Sequence, residues 1–203
     1  KDLSECIIII DEAHNVPEKC RDTLSSQLSA LSLERAVKEA ESLGHKDIAD
    51  CVKEVKNIVD KLASKKLDKE THEALLKKED LTKEIENVLD IDQLVDNLMF
   101  IAKIIVEKKK RSSSSYVANF LINWQGQNES FARIIKLNKT ERGKYHITIH
   151  YNCLAPSLIT KQLAHSSYSI ICMSGTLTPL DMYKDLLGFD TLTTELKNPF
   201  PQK

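Results

Sequence analysis

Hydrophobic and polar positions follow three different rhythms along this chain. It opens on an unbroken run, residues 6–10, that is rich in isoleucine and ends in Asp11 and Glu12. A β-branched run without alternation predicts a strand buried on both faces, as in a parallel α/β sheet. Residues 168–173 repeat the pattern and end in Ser174, Gly175 and Thr176, and Pro179 opens a predicted helix over 180–187. Two such strands place their polar ends together at the carboxyl edge of one sheet, where open α/β sheets bind ligands.

Between residues 33 and 107 the rhythm is helical. Apolar side chains recur at three- and four-residue steps, as in Val52, Val55, Ile58, Val59 and Leu62, and again in Leu94, Leu98, Ile101, Ile104 and Ile105. Gly44 breaks the first long helix, and Asp68, Asp80 and Asp90 are placed for caps or loops. Lys and Glu alternate on the outer faces, the pattern of solvated helices carrying local ion pairs. The stretch 108–115, Lys-Lys-Lys-Arg followed by four serines, reads as a loop, and a further helix is expected over 116–124. Beyond it, alternating runs at 131–137 and 146–151 flank a polar segment and predict a hairpin. A helix is expected over 155–164.

The predicted fold class is therefore α/β: a parallel-sheet domain interrupted by a mostly α-helical insertion. The expected segments are 1–27 for the first part of the α/β domain, 28–128 for the insertion, and 129–203 for the remainder.

Composition narrows the class. The chain has 203 residues, 41% hydrophobic and 29% charged, and a formal net charge of -1. That is a globular composition without a global basic field, so any nucleic-acid contact has to come from local cation patches. Five cysteines without C-x-x-C spacing point to small apolar residues in a reduced, intracellular protein and not to a disulfide framework or a metal site. No apolar run approaches the ~20 residues of a membrane span, and no membrane partner is expected. A chain that reaches a core strand so soon, without an initial Met, is expected to be a piece of a longer protein.

The chemistry concentrates at Asp11-Glu12-Ala13-His14. A carboxylate at the carboxyl end of a strand can hold Mg²⁺ through water beside nucleotide phosphates. The next carboxylate can orient or deprotonate an attacking water. A histidine two residues on can sense the phosphate and pass its state to a neighbouring element. Acidic residues that merely cap a helix N-terminus are the simpler alternative, but capping does not require this order after an isoleucine strand.

Ile7 to Asn15 resembles the DEAH box of the XPD-type helicases, a superfamily-two branch that includes the iron–sulfur XPD and DinG enzymes. Met173-Ser174-Gly175-Thr176-Leu177-Thr178-Pro179 is similar to motif III of that branch. Asn198-Pro199-Phe200-Pro201 resembles the stretch leading to its second motor domain, and Tyr151-Asn152-Cys153-Leu154-Ala155-Pro156-Ser157 the segment between insertion and motif III. The resemblance implies a partial RecA-like motor domain and, for the helical middle, the insertion called the Arch. It implies Asp11 as the magnesium carboxylate, Glu12 as the water-activating base and His14 as a coupling residue. Ser174 and Thr176 would link ATP state to DNA grip, and Gly175 would allow the tight turn between them. ATP and Mg²⁺ are the implied cofactors, with a [4Fe–4S] cluster whose ligands lie outside this chain. No G-x-x-x-x-G-K-[ST] loop is present in the chain, so ATP hydrolysis is expected of the full-length parent and not of this piece.

The resemblance implies a 5′-to-3′ DNA helicase with a role in repair, acting as a monomer on single-stranded or forked DNA. Lys103, Lys108, Lys109, Lys110 and Arg111 are the candidate phosphate contacts, with Tyr116 and Trp124 as nearby aromatics, although a solvated loop and a core tryptophan are the simpler readings. His45, His72, His146, His150 and His165 are read as structural. A second function of another class is a protein-interaction module on the insertion. A third is a non-helicase DEAH ATPase or a DinG-like relative.

Overall fold

A computed structural model describes residues 2–68, 70–139, 143 and 145–197. In chain order the elements are β1 (Ile7–Ile10), a 3₁₀ turn (Ala13–Asn15), α1 (Val16–Leu24), β2 (Ser26–Ser29), α2 (Ala30–Ser42) and α3 (Lys46–Lys66). Then follow β3 (Glu73–Leu75), α4 (Lys78–Glu86), α5 (Ile91–Lys109), α6 (Ser113–Trp124), β4 (Phe131–Lys139) and β5 (Tyr145–Cys153). The chain closes with α7 (Ser157–Ser166), β6 (Ser169–Cys172) and α8 (Leu180–Leu187). The fold is mixed α/β and divides into two compact units: residues 1–23 with 155–203, and residues 24–154.

In the first unit β1 and β6 form a two-stranded parallel sheet, with Ile7 opposite Ser169 and Ile10 opposite Cys172. The predicted parallel pairing is present, but burial on both faces is not. Ile7 and Ile9 are 60% and 62% exposed, because the sheet has two strands among the described residues and no element covers that face. Helix α8 spans the predicted residues and ends on Gly188, whose φ of 65° is the left-handed position that glycine takes at helix ends.

The second unit holds the core. Helix α3 buries Val52, Val55, Ile58, Val59 and Leu62, and α5 buries Leu94, Leu98, Ile101 and Ile105, the stripes that the helical spacing predicted. Against them packs one face of a four-stranded antiparallel sheet in the order β2-β5-β4-β3, contributing Leu28, Ile135, Ile149 and Tyr151. The expected helical segment 28–128 is thus not wholly helical. β2 overlaps its start and β3 lies within it, two short strands without an alternation long enough to announce them. The hairpin, grouped by the sequence with residues from 129 onward, is zipped here between those strands.

Gly44, at φ 83°, ends α2 as expected. The Asp90 side chain accepts from Gln93 N, Asp80 from Lys77 N, and Asp68 from Glu70 N and Thr71 N. All three aspartates therefore serve as caps or turn acceptors.

The stretch 108–115 departs from its predicted loop. Lys108 and Lys109 complete α5, Lys110 caps it in left-handed conformation, and α6 begins at Ser113. Ser112 is the N-cap, its Oγ accepting from Ser114 N and Ser115 N, and Glu39 on α2 reinforces it. Its carboxylate accepts from Ser112 Oγ, Ser113 N, Ser114 N and Ser114 Oγ at 2.7–2.9 Å, satisfying the first N–H groups of α6 from a distant segment.

Candidate functional site

The register of β1 on β6 builds the site. Met173 N donates to Ile10 O at 2.9 Å, and Ala13 N donates to Met173 O at 3.1 Å, so the pairing runs past both strands into the polar segments. Glu12 then turns the chain sharply. Its φ of 49° and ψ of 42° put a non-glycine residue in the left-handed region, immediately before the 3₁₀ turn. Such backbone costs of order 1–3 kcal/mol and persists where surrounding contacts hold it.

Those contacts are side-chain hydrogen bonds around one hydroxyl. His14 Nδ1 lies 2.8 Å from Ser174 Oγ and 3.1 Å from Glu12 Oε2. Ser174 Oγ donates to Glu12 Oε2 at 3.3 Å and accepts from Thr176 N at 3.2 Å, with Thr176 Oγ1 also 3.3 Å away. With the proton on Nδ1, the imidazole donates towards the Glu12 carboxylate and Ser174 together, and every contact has a donor and an acceptor. Residues 160 positions apart thus form one polar cluster. The structure brings Glu12, His14, Ser174 and Thr176 together. Asp11 stands beside them, exposed, its Oδ1 accepting from Glu12 N at 2.8 Å.

Gly175 plays a different part from the one its place in the motif suggested. Its backbone is not left-handed, and a Cβ built there meets nothing within 4 Å. The turn between the hydroxyls does not require glycine; the unusual backbone belongs to Glu12.

A cavity of about 360 Å³ opens beside Asp11 and Glu12, lined further by Asn15, Lys19, Cys20, Thr23 and Ile159. Asn15 ends the 3₁₀ turn, and Lys19 and Thr23 lie on α1; beyond Asn15 no motif announced them, but their four-residue spacing is a signal readable in the sequence.

Lys103, Lys108, Lys109, Lys110 and Arg111 are all exposed on or after α5, and none is ion-paired among the described residues. They belong to the second unit. Of their companion aromatics, Tyr116 is 41% exposed, while Trp124 is buried at 1% and donates through Nε1 to Lys78 O. Trp124 is a core residue. The Asn198–Pro201 stretch lies outside the described residues.

No helix among the described residues is long and apolar enough to cross a membrane. A family model described as DEAD_2 matches residues 1–33, which contain the Asp11–His14 box. The chain is also similar to the general transcription and DNA repair factor IIH helicase subunit XPD of Schizosaccharomyces pombe (strain 972 / ATCC 24843). The two are 26% identical over 254 residues, covering 94% of this chain and 33% of that protein. The chain therefore spans about a third of the relative's length. Both matches support reading it as an XPD-like helicase segment.

Proposed function

We propose that this chain carries part of the ATP-hydrolysing and coupling machinery of a 5′-to-3′ DNA helicase that acts in DNA repair, within a RecA-like motor interrupted by an Arch insertion. The observation that carries the reading is the cluster on Ser174. A base that must be idle until DNA is gripped is best held by a group from another segment, and Ser174 holds both Glu12 and His14.

In this reading Asp11 holds Mg²⁺ through water, and the ion when bound neutralises phosphate charge. A lone exposed carboxylate suits a cation that keeps most of its own waters. Glu12 takes the proton of the attacking water through Oε2. That atom now accepts from His14 and Ser174, which restrict its orientation. Movement of the Ser174–Thr176 segment would release Glu12, and movement of His14 would report the phosphate to that segment. The exposed cations Lys103 and Lys108 to Arg111 would meet the phosphates of single-stranded or forked DNA. Among the described residues no three Cys, His, Asp or Glu side chains converge as a metal-binding group. A [4Fe–4S] cluster in the parent would use ligands from elsewhere.

A second reading has one observation in its favour. Met99, Phe100 and Val106 on α5 are 43%, 50% and 41% exposed, an apolar face suited to a protein partner on the insertion.

The test is ATP hydrolysis by the full-length parent, with and without single-stranded DNA, alongside its Glu12→Gln and Ser174→Ala variants and this chain as control. The expected result is DNA-stimulated turnover that collapses in Glu12→Gln and loses its DNA response in Ser174→Ala. A parent without DNA-stimulated turnover would sink the motor reading and leave the α5 face as the functional surface.

A further inference from the structure

On the second unit, away from every motif, a cleft of about 460 Å³ opens between the end of α3 and the β4–β5 hairpin. Its floor is apolar, with Leu67, Leu137 and Ile147. Two aromatic rings line it as well. His72 and Tyr145 lie near-parallel at 20°, with centroids 6.4 Å apart. The contrast with a packed pair in the same unit is informative. Phe131 and Tyr151 are in face contact at 4.4 Å and 5°, and Tyr151 is 3% exposed. Tyr145 is 56% exposed, so its ring offers stacking surface to something not yet bound. Tyr145 is thus a tyrosine held in the open over an apolar floor.

The remaining groups say what the occupant is. Lys139 places Nζ 5.9 Å from the centre of the Tyr145 ring, and among the described residues it has no carboxylate partner. Ser64 and Asp68 stand on the polar side of the cleft. A planar ring surface, a hydroxyl and carboxylate for hydrogen bonding to a ring edge, and a cation at the rim are the requirements of one nucleotide unit of a single strand. An aromatic peptide side chain would use the ring surface but neither the carboxylate nor the cation.

We propose that this cleft takes one unpaired base of a single-stranded nucleic acid, stacked on Tyr145 and His72, with Lys139 on its phosphate. Asp68 accepts from the exocyclic amine of the base, so cytosine is preferred to thymine, which has no such amine. The choice of nucleic acid as occupant rests on the helicase reading; the cleft and its chemistry do not. Sequence alone placed His72 among structural histidines, because its partner ring lies 73 residues away and no spacing links them.

The experiment measures binding of this chain to fluorescein-labelled oligo(dC), oligo(dT) and an abasic strand of equal length, by anisotropy. Stacking on one aromatic predicts that Tyr145→Ala weakens oligo(dC) binding about tenfold. Tyr145→Phe should retain it, which separates stacking from folding. The abasic strand should be indifferent to Tyr145, and Asp68→Asn should abolish the preference for oligo(dC) over oligo(dT). Equal binding by wild type and Tyr145→Ala overturns the proposal, as does an equal loss on the abasic strand, or no binding by the wild type. A tryptophan-containing peptide that binds at Tyr145 without competing with oligo(dC) would also overturn it and mark a protein-docking cleft. None of these outcomes touches the Glu12→Gln test in the parent, so the two readings fail separately.

Discussion

The two compact units divide labour unequally. The unit of residues 24–154 buries a continuous core from Leu28 to Tyr151, while the unit that holds Asp11, Glu12, His14 and Ser174 buries little beyond Ala13, Cys20, Thr160 and Leu187. In the unit of residues 24–154, stability comes from packed apolar stripes. In the other, geometry comes from a short parallel ladder and a handful of polar contacts. Within this chain, the candidate chemistry is held by register and polar contacts and not by a packed core.

The sharpest way to break that comparison is to delete matched side chains in each unit. Leu98 is fully buried and Ile9 is 62% exposed. Leu98→Ala should cost about 2–5 kcal/mol in urea unfolding, and Ile9→Ala only about 0.5 kcal/mol. Equal losses would show that the first unit is as firmly packed as the second.

A smaller effect concerns the buried cation of the second unit. Arg133, 4% exposed, donates to the carbonyls of Trp124 and Gly126 at 2.9 Å and to Asn128 Oδ1 at 2.7 Å, with its guanidinium 4.7 Å from the Tyr151 ring. It thereby closes the carbonyl end of α6. Arg133→Met keeps the stem but leaves those carbonyls unpaired, and should cost about 2 kcal/mol in the same measurement.

Acid sharpens the picture further, since several groups in the second unit titrate against folding, His150 and Glu39 among them. Burial pushes the His150 imidazole below its ordinary value of 6.5, and the Lys136 ammonium adds to it. Thr148 Oγ1 lies 2.8 Å from its Nε2 and in turn accepts from Asn138 Nδ2. The unfolded chain takes up this proton more readily than the folded one, so stability declines as pH falls through 6.5 towards the lower folded value. Glu39 behaves differently. Burial raises its pKa, but the hydrogen bonds from Ser113, Ser112 and Ser114 outweigh that and hold it below 4.5. Its contribution is intact above 4.5 and is lost as pH falls through the depressed folded value. Unfolding measured across pH should show a first decline that His150→Gln removes and a second, shared with the depressed carboxyls of Asp68, Glu73 and Asp80, that Glu39→Ala diminishes. Glu39→Ala should itself cost about 1 kcal/mol at neutral pH, the usual magnitude of a lost cap.

The smallest expected change in stability belongs to the site. Ser174 is half-buried and its hydroxyl is bonded only to other polar groups of the site, so Ser174→Ala should cost no more than about 1 kcal/mol in the unfolding free energy of this chain. In the full-length parent the same change should lower DNA-stimulated ATP turnover about tenfold, equivalent to about 1.4 kcal/mol of barrier. A large loss of stability with unchanged turnover would make Ser174 a structural residue.

Much of this was legible in the order of residues. The β-branched runs announced β1 and β6, and three- and four-residue apolar spacing announced α3 and α5, because backbone periodicity projects directly onto the sequence. Asp11, Glu12 and His14 were legible for a related reason: they follow a strand within four positions, so local geometry alone sets them side by side. The Ser112 N-cap of α6 is local, but the second set of hydrogen bonds at that helix start was not legible, since Glu39 lies on another helix. Nor was the left-handed Glu12, which is held by Ser174. The glycine that the motif offered for a turn turned out to have ordinary backbone and open space around it.

By itself, then, the sequence determined β1, β6, α3, α5, α8 and the hairpin strands, their apolar faces, and the candidate residues at Asp11 to His14. Only the tertiary structure decided that Ser174 joins Glu12 to His14, that Glu39 reinforces the start of α6, and that His72 meets Tyr145. Each of these contacts spans more than 70 positions, and pairings at that range depend on register and packing, which no local pattern encodes.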